Sequence, residues 1–180
     1  VTASQATVDG IEDVGKAYLY HGPIIDSATV ADADATFLGD DAGNELSTRV
    51  DISGDLDGDG YDDLVFGDPY NGPAEYGAEG YWAGAVYVVY GPVSGTVSLS
   101  GADAKLVGEE GDLVGYYVAS GGDLNGDGYD DLVTGACGSG GTHDGVTYVA
   151  YGPLAGDVEV AVADATIMAE PTDSAQAACF

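Results

Sequence analysis

Basic residues are almost absent from this sequence, which has only 3 lysines and arginines against 32 aspartates and glutamates. The formal charge of −29 argues against nucleic acid and anionic membranes as partners, because both are bound through Lys and Arg. Apolar runs long enough to span a bilayer are also missing, so we expect no membrane insertion. Divalent cations, or a high-salt medium that screens the self-repulsion, suit such a chain.

Helical periodicity and cysteine are scarce as well. The apolar residues show almost no spacing of about 3.6 residues, and 30 glycines interrupt the chain at predicted turns. The two cysteines, Cys137 and Cys179, either join adjacent structural units by a disulfide or stay two separate thiols, and the sequence leaves both open. A hydrophobic content of 45% with 13 tyrosines predicts a folded domain and not a disordered acidic tail.

Internal duplication organises what is present. Segments 15–39, 84–108 and 145–169 align with one another without a gap, and we call them B units. Segments 43–67 and 111–135 align in the same way, and we call them A units. The predicted divisions are the trailing strands of a preceding unit at 1–42, complete units at 43–110 and 111–170, and the start of a further unit at 171–180.

Each A unit with its following B unit reads as four short strands that are rich in β-branched and aromatic residues. The predicted fourth strand runs through TVSLS…AKLV in the first unit and DVEVAV…ATIM in the second. Repeated four-stranded antiparallel units arranged radially are the blades of a β-propeller. We therefore predict an all-β fold, a β-propeller segment, with a stack of sheets in a β-solenoid as the structural alternative.

Aspartates are crowded into one loop of each A unit, in GDLDGDGYDDLVFG at 54–67 and GDLNGDGYDDLVTG at 122–135. Side-chain oxygens fall at loop positions 1, 3, 5 and 9 and a backbone carbonyl at position 7, which suits calcium with its roughly six to eight oxygen ligands. Glycine at position 6 permits the sharp turn of such a loop. The predicted calcium ligands are Asp55, Asp57, Asp59, the Tyr61 carbonyl and Asp63 at one site, and Asp123, Asn125, Asp127, the Tyr129 carbonyl and Asp131 at the other.

Two details refine this metal prediction. An amide replaces one carboxylate at Asn125, so we expect the second site to bind calcium somewhat more weakly. An EF-hand is excluded because position 12 is Phe66 or Thr134 where that loop needs an acidic ligand. Asp62 and Asp130, at position 8, are expected to point away from the ion and to be either solvated or in contact with the ligands from outside the site.

The D-x-[DN]-x-D-G-x-x-D loop followed by D-L-V-x-G, together with a G-x-x-Y-x-x-Y-G-P strand, resembles the FG-GAP repeat of integrin α-subunits and their prokaryotic relatives. This resemblance implies a seven-bladed propeller with calcium in the loop that joins strands 1 and 2. It also implies a secreted or cell-surface protein that acts in adhesion or ligand recognition. The sequence departs from the family where Phe-Gly precedes the loop, since it has Leu46-Ser47 and Val114-Gly115 there.

An aromatic loop offers a candidate surface for a partner. The segment 68–83 joins strands 2 and 3, on the opposite face from the calcium loops, and carries Tyr70, Tyr76, Tyr81 and Trp82. Exposed aromatic side chains suit a protein or a glycan ligand. The alternative is that they cover the hydrophobic flank of their own blade.

Catalytic signals are few, so we predict a protein that is not an enzyme. Neither His21 nor His143 has a sequence neighbour that suggests a nucleophile or a zinc site, and G-x-S-x-G is absent. The obvious carboxylate pairs belong to the predicted calcium loops. The alternatives are a carbohydrate-active propeller (a polysaccharide lyase, a hydrolase or a lectin) and a structural subunit of a surface layer or filament.

The number of blades is too small for a closed ring. Only two complete A-plus-B units are present, whereas propellers close with about four blades or more. Further blades are therefore expected, either from a longer chain or from neighbouring copies of this one.

Overall fold

The computed structural model describes residues 1–3, 6–7, 9, 14–24, 26–39, 46, 49–72, 82–137 and 145–168. The strands in these residues are β1 (Thr2–Ala3), β2 (Lys16–Leu19), β3 (Ala35–Leu38), β4 (Arg49–Gly54), β5 (Asp63–Asp68), β6 (Ala85–Val89), β7 (Gly95–Ser98), β8 (Ala104–Val107), β9 (Val114–Ala119), β10 (Leu132–Ala136), β11 (Val146–Ala150), β12 (Gly156–Glu159) and β13 (Ala165–Met168). Short 3₁₀ turns at Val30–Asp32, Leu99–Gly101 and Val160–Val162 complete the described elements. In the same residues no helix has the length and apolar character to cross a bilayer.

The strands form three sheets, with the orders β1-β2-β3-β7, β12-β8-β6-β5-β4 and β13-β11-β10-β9. In the central sheet, β4, β5, β6 and β8 pair antiparallel in succession. The third sheet repeats this order with β9, β10, β11 and β13. The all-β, four-stranded antiparallel blade predicted from the sequence is confirmed, and the aspartate-rich loops join its first and second strands. The division of the chain at residues 43, 111 and 171 stays a prediction.

The prediction of one continuous fourth strand is wrong, because the structure divides that run into two strands. The second half, β8, pairs antiparallel with β6 and is the fourth strand of its own blade. The first half, β7, pairs in parallel with β3 of the preceding sheet, and β12 pairs in the same way with β8. A 3₁₀ turn with Leu99 buried at its start separates the two halves. Backbone hydrogen bonds therefore join each sheet to the next.

The central blade is buried on both faces, which explains its continuous apolar strands. Val65 of β5 belongs to the core shared with the third sheet, whereas Leu64 and Phe66 belong to the core shared with the first. Successive side chains of a strand point to opposite faces, so a strand between two cores has no polar face. The Phe37 and Phe66 rings, with centroids 4.8 Å apart, link the first sheet to the central one.

A close backbone approach joins the central and third sheets. A Cβ atom built on Gly67 would lie 2.2 Å from the Gly115 carbonyl oxygen, which leaves no room for a side chain. Gly84 also forms a bridge to Val114, the first residue of β9. This tight packing holds the two aspartate-rich loops side by side.

Candidate metal centre

Both aspartate-rich loops have the same turn geometry. The first lies between β4 and β5 and the second between β9 and β10. Gly58 and Gly60 have φ values of 78° and 91°, and Gly126 and Gly128, at the same loop positions, have 84° and 98°. Only glycine adopts this left-handed region without strain. The glycines at loop positions 4 and 6 therefore set the path of the backbone in both copies.

Carboxylates fold the first loop onto itself. Asp55 accepts hydrogen bonds from the backbone N–H groups of Gly58 and Gly60, at 2.7 and 3.0 Å. Asp57 and Asp59 each accept one from the backbone N–H two residues further on, at 3.0 and 2.9 Å. Each carboxylate oxygen has a second lone pair, so these bonds orient the side chains and still leave sites for a cation.

Asp63 closes the first loop from the core side. Its side chain is fully buried, and its two oxygens accept the N–H groups of Leu56 at 2.7 Å and Gly91 at 2.8 Å. Burial raises the pKa of the Asp63 carboxyl, and the charges of Asp57 and Asp55 raise it further against the lowering effect of the two hydrogen bonds. A buried carboxylate beside two others calls for a positive charge.

The geometry of the first loop fits a calcium ion. Carboxylate oxygens of Asp55, Asp57 and Asp63 all lie within 4.8 Å of one another. Two ligands at about 2.3–2.6 Å on opposite sides of one calcium ion are roughly 5 Å apart, so these three oxygens can share one ion. Asp59 lies outside this close group, and the Tyr61 side chain is 56% exposed, as expected for a residue that would contribute only its carbonyl.

The second loop repeats the same hydrogen bonds. Asp123 accepts the N–H groups of Gly126 and Gly128 at 2.5 and 2.9 Å, and the Gly128 bond contributes most to lowering the pKa of the Asp123 carboxyl. Asp131, with 2% of its surface exposed, accepts the N–H groups of Leu124 at 2.7 Å and Gly152 at 3.1 Å. The two ends of the loop are therefore held as in the first copy.

The middle of the second loop differs from the first. The Asn125 amide nitrogen donates to Asp127 Oδ2 at 2.9 Å, and Asp127 Oδ1 accepts the Tyr129 N–H at 3.0 Å. Within the described residues, three acidic side chains converge only in the first loop. The structure thus places all ten sequence-predicted residues in two matching loops and brings three of them together. The ligand set itself stays a prediction.

The two loops also contact each other, which the sequence did not predict. Asp130 is half-buried, and its Oδ2 accepts the Asp55 N–H at 3.0 Å. The Tyr129 ring packs on Gly58, where an added Cβ would lie 2.7 Å from the ring. Asp130 thus contacts the backbone of a predicted ligand, whereas Asp62, at the same loop position, is exposed, and both arrangements are among those expected for position 8. The sequence has no signal that distinguishes the two.

The aromatic loop and the cysteines are described only in part. The Tyr70 and Trp82 rings meet edge to face with centroids 5.2 Å apart, and both side chains are half-buried. Tyr76 and Tyr81 lie outside the described residues. Cys137 is disulfide-bonded, so it is not a free thiol, and Cys179 lies outside the described residues.

Comparisons with known proteins agree with this geometry. The pattern of the FG-GAP repeat matches residues 52–89 and 115–150, each of which includes one loop and its following strands. Integrin alpha pat-2 of Caenorhabditis briggsae is 33% identical over 106 residues, which are 57% of this chain and 8% of that protein. Integrin alpha-5 of Xenopus laevis is 30% identical over 139 residues, which are 73% of this chain and 12% of that protein. The chain thus spans a small part of the length of these relatives.

Proposed function

Because this chain belongs to the FG-GAP repeat family, we propose that it is a calcium-stabilised, non-enzymatic module of adhesion or recognition that works outside the cell. The observation that carries this proposal is the convergence of Asp55, Asp57 and Asp63 within 4.8 Å. One of these carboxylates is fully buried, and a divalent cation would offset the repulsion among all three.

Two calcium sites follow from the repeated loop. The residues proposed to hold the ions are Asp55, Asp57, Asp59, the Tyr61 carbonyl and Asp63 in the first loop, and Asp123, Asn125, Asp127, the Tyr129 carbonyl and Asp131 in the second. The ions would be structural: they neutralise the carboxylates and tie the loop to the buried second strand of each blade. The shared N–H bonding of both loops supports two similar sites.

A recognition role is supported by the placement of the calcium loops and the aromatic loop at opposite ends of the blade. The strands are antiparallel, so the loops before and after β5 lie at opposite ends of the sheet. The calcium loops stabilise one end, and the Tyr70–Trp82 pair lies at the other. We propose that this second end, with Tyr76 and Tyr81 in the same loop, binds a protein or glycan ligand.

An extracellular setting agrees with the chemistry of the chain. Disulfides persist in oxidising compartments such as the cell exterior, and Cys137 is disulfide-bonded. Calcium sites also suit a compartment where this ion is abundant. The described histidine, His21, lies on the surface with its Nδ1 atom 3.5 Å from Asp34 Oδ2.

Metal analysis of matched variants tests the calcium proposal. We expect two bound calcium ions in the natural chain, one in Asp57→Ala and two in Asp62→Ala, which removes an exposed carboxylate of the same loop without touching a proposed ligand. An unchanged melting curve in excess EGTA, with no metal found by elemental analysis, would contradict the proposal. Release of product from any polysaccharide in a hydrolysis screen would overturn the non-enzymatic part.

A further inference from the structure

Two of the asparagines in this sequence, Asn71 and Asn125, are followed directly by glycine. Such a pair is prone to deamidation, because a following residue without a side chain lets its backbone nitrogen approach the asparagine Cγ. The surroundings of the two pairs differ. Asn71 is 7% exposed, and its amide donates to Tyr87 Oη at 2.9 Å. Asn125 lies on the surface at position 3 of the second aspartate-rich loop, so of the two only its amide is open to solvent.

The amide of Asn125 stands where the first loop has a carboxylate. Its Oδ1 accepts the Asp127 N–H at 2.9 Å, as Asp57 accepts the Asp59 N–H at 3.0 Å. Its Nδ2 donates to Asp127 Oδ2 at 2.9 Å, a bond that a carboxylate cannot make because it has no donor. The amide thus reduces the repulsion within the second loop, whereas the first loop needs a cation for this.

The attacking atom of a deamidation, the Gly126 nitrogen, is held away from this reaction by the folded loop. It donates to Asp123 Oδ1 at 2.5 Å, and it must give up this bond before it can turn toward Asn125 Cγ. Asp123 is also a proposed calcium ligand. Calcium that stabilises the loop is therefore expected to slow the reaction, and its removal to speed it, because the carboxylates then repel one another.

We propose that Asn125 is a deamidation site whose reaction is controlled by calcium and gives the second loop the carboxylates of the first. The Gly126 nitrogen loses its proton to a base in solution and bonds to Asn125 Cγ, and the Cγ–Nδ2 bond breaks with release of ammonia. Water then opens the succinimide ring, either at Cγ, which gives aspartate, or at the backbone carbonyl, which gives isoaspartate. The aspartate product has the acidic residues of the first loop at positions 1, 3, 5 and 9. The control by calcium rests on the function proposed above, and the reactivity of Asn125 does not.

Peptide mapping by mass spectrometry tests the proposal on the full chain, incubated at mildly alkaline pH in calcium or in EGTA. We expect Asn125 to react in EGTA and to react about a hundredfold more slowly at a hundredfold excess of calcium over its dissociation constant, because calcium depopulates an open loop by that factor. Asn71 should stay unconverted in both media.

Equal rates at the two asparagines would overturn the proposal, as would equal rates at Asn125 in both media when elemental analysis finds bound calcium. Absence of bound calcium would contradict the proposed function and the control by calcium together. Faster reaction of Asn125 than of Asn71 would still establish the site in that case, so the two failures are distinguishable.

Two variants locate the protection within the chain. Asp127→Ala removes a proposed ligand of the second loop, so calcium should no longer slow the reaction at Asn125. Asp62→Ala removes an exposed carboxylate that is not a proposed ligand, and it should keep the full protection. Protection that persists in Asp127→Ala, or is lost in Asp62→Ala, would show that calcium does not act through the second loop and would overturn the proposal.

Asn125→Asp reproduces the aspartate product. Calorimetric titration should show calcium binding at the second loop about tenfold tighter than in the natural chain, because affinity depends on the number of charged ligands. In EGTA the melting temperature should be lower than that of the natural chain, because repulsion replaces the hydrogen bond between Asn125 and Asp127. Calcium binding no tighter than in the natural chain, or an unchanged melting temperature in EGTA, would overturn the proposed effect of the reaction.

Discussion

Asp55 and Asp130 lie 75 positions apart, yet two hydrogen bonds join them, one of which is accepted by the Asp130 carboxylate. The Asp55 N–H donates to Asp130 Oδ2 at 3.0 Å, and the Asp130 N–H donates to the Asp55 carbonyl at 3.0 Å. Asp55 is the first proposed ligand of one site, and Asp130 directly follows the Tyr129 carbonyl proposed for the other. A change in the conformation of either loop is therefore expected to change calcium binding at both sites.

Removal of the Asp130 carboxylate is expected to weaken calcium binding at the first loop. Asp130→Ala leaves the Asp55 N–H without its acceptor, which typically costs about 1–3 kcal/mol when a group is shielded from water. Asp62→Ala, at the same position of the first loop, should change neither affinity nor stability because that side chain is exposed. Calorimetric titration with calcium compares the two, and equal binding by both variants would show that the loops act independently.

Calcium removal should lower the free energy of unfolding. An ion that binds only the native state contributes about 2.7 kcal/mol per site at a hundredfold excess over its dissociation constant. Asp59→Ala and Asp127→Ala should each lose one ion and about that amount of stability under the same conditions. Magnesium should restore little of it, since this ion requires a smaller octahedral site and retains its waters. Thermal melts in calcium, magnesium and EGTA provide the measurement.

Substitution by alanine should lower the free energy of unfolding strongly at one loop leucine and hardly at all at the other. Leu56 is fully buried in the core between blades, and Leu124, at the same loop position, is 61% exposed. Leu56→Ala should therefore cost about 2–5 kcal/mol of unfolding free energy, whereas Leu124→Ala should stay within about 0.5 kcal/mol of the natural chain. Denaturant unfolding at fixed calcium measures both. Similar losses in the two variants would contradict the inter-blade role of Leu56.

Stability should fall at alkaline pH through Tyr148. Burial, followed by the nearby charges of Asp112 and Glu109, raises the pKa of Tyr148 to about 12 from an ordinary value of 10.0. The folded state thus favours the neutral phenol, so its contribution is complete below pH 10 and is lost as the pH rises to 12. The loss is at most about 2–3 kcal/mol.

Tyr148→Phe is the matching variant for this pH dependence. It removes the titrating group, so unfolding free energy measured between pH 10 and 12 should fall less steeply than in the natural chain. Part of the slope should persist, because burial also raises the pKa of Tyr90 to about 12. An identical slope in the variant would show that Tyr148 does not contribute.

Local patterns in the sequence were sufficient to predict the main strands and the aspartate-rich loops. Alternating and continuous apolar residues predicted β5, β6, β10 and β11 because strand periodicity and burial on both faces are visible in consecutive side chains. The loop glycines and aspartates predicted the turn because each contact within a loop spans at most seven residues.

Contacts between distant segments required the tertiary structure. The run 95–107 looks like one strand, yet its first part, β7, pairs with β3 of the preceding sheet. That partner lies some 60 residues earlier in the chain, so no local pattern indicates the pairing. Asp62 and Asp130 occupy identical sequence contexts, and only the presence of an adjacent loop makes one of them half-buried. Leu56 and Leu124 differ for the same reason. The sequence by itself determined the strands, the turns and the aspartates of each repeat, because these depend on neighbours along the chain. The tertiary structure alone decided which copies of a repeated residue are buried, because burial depends on the blade beside it.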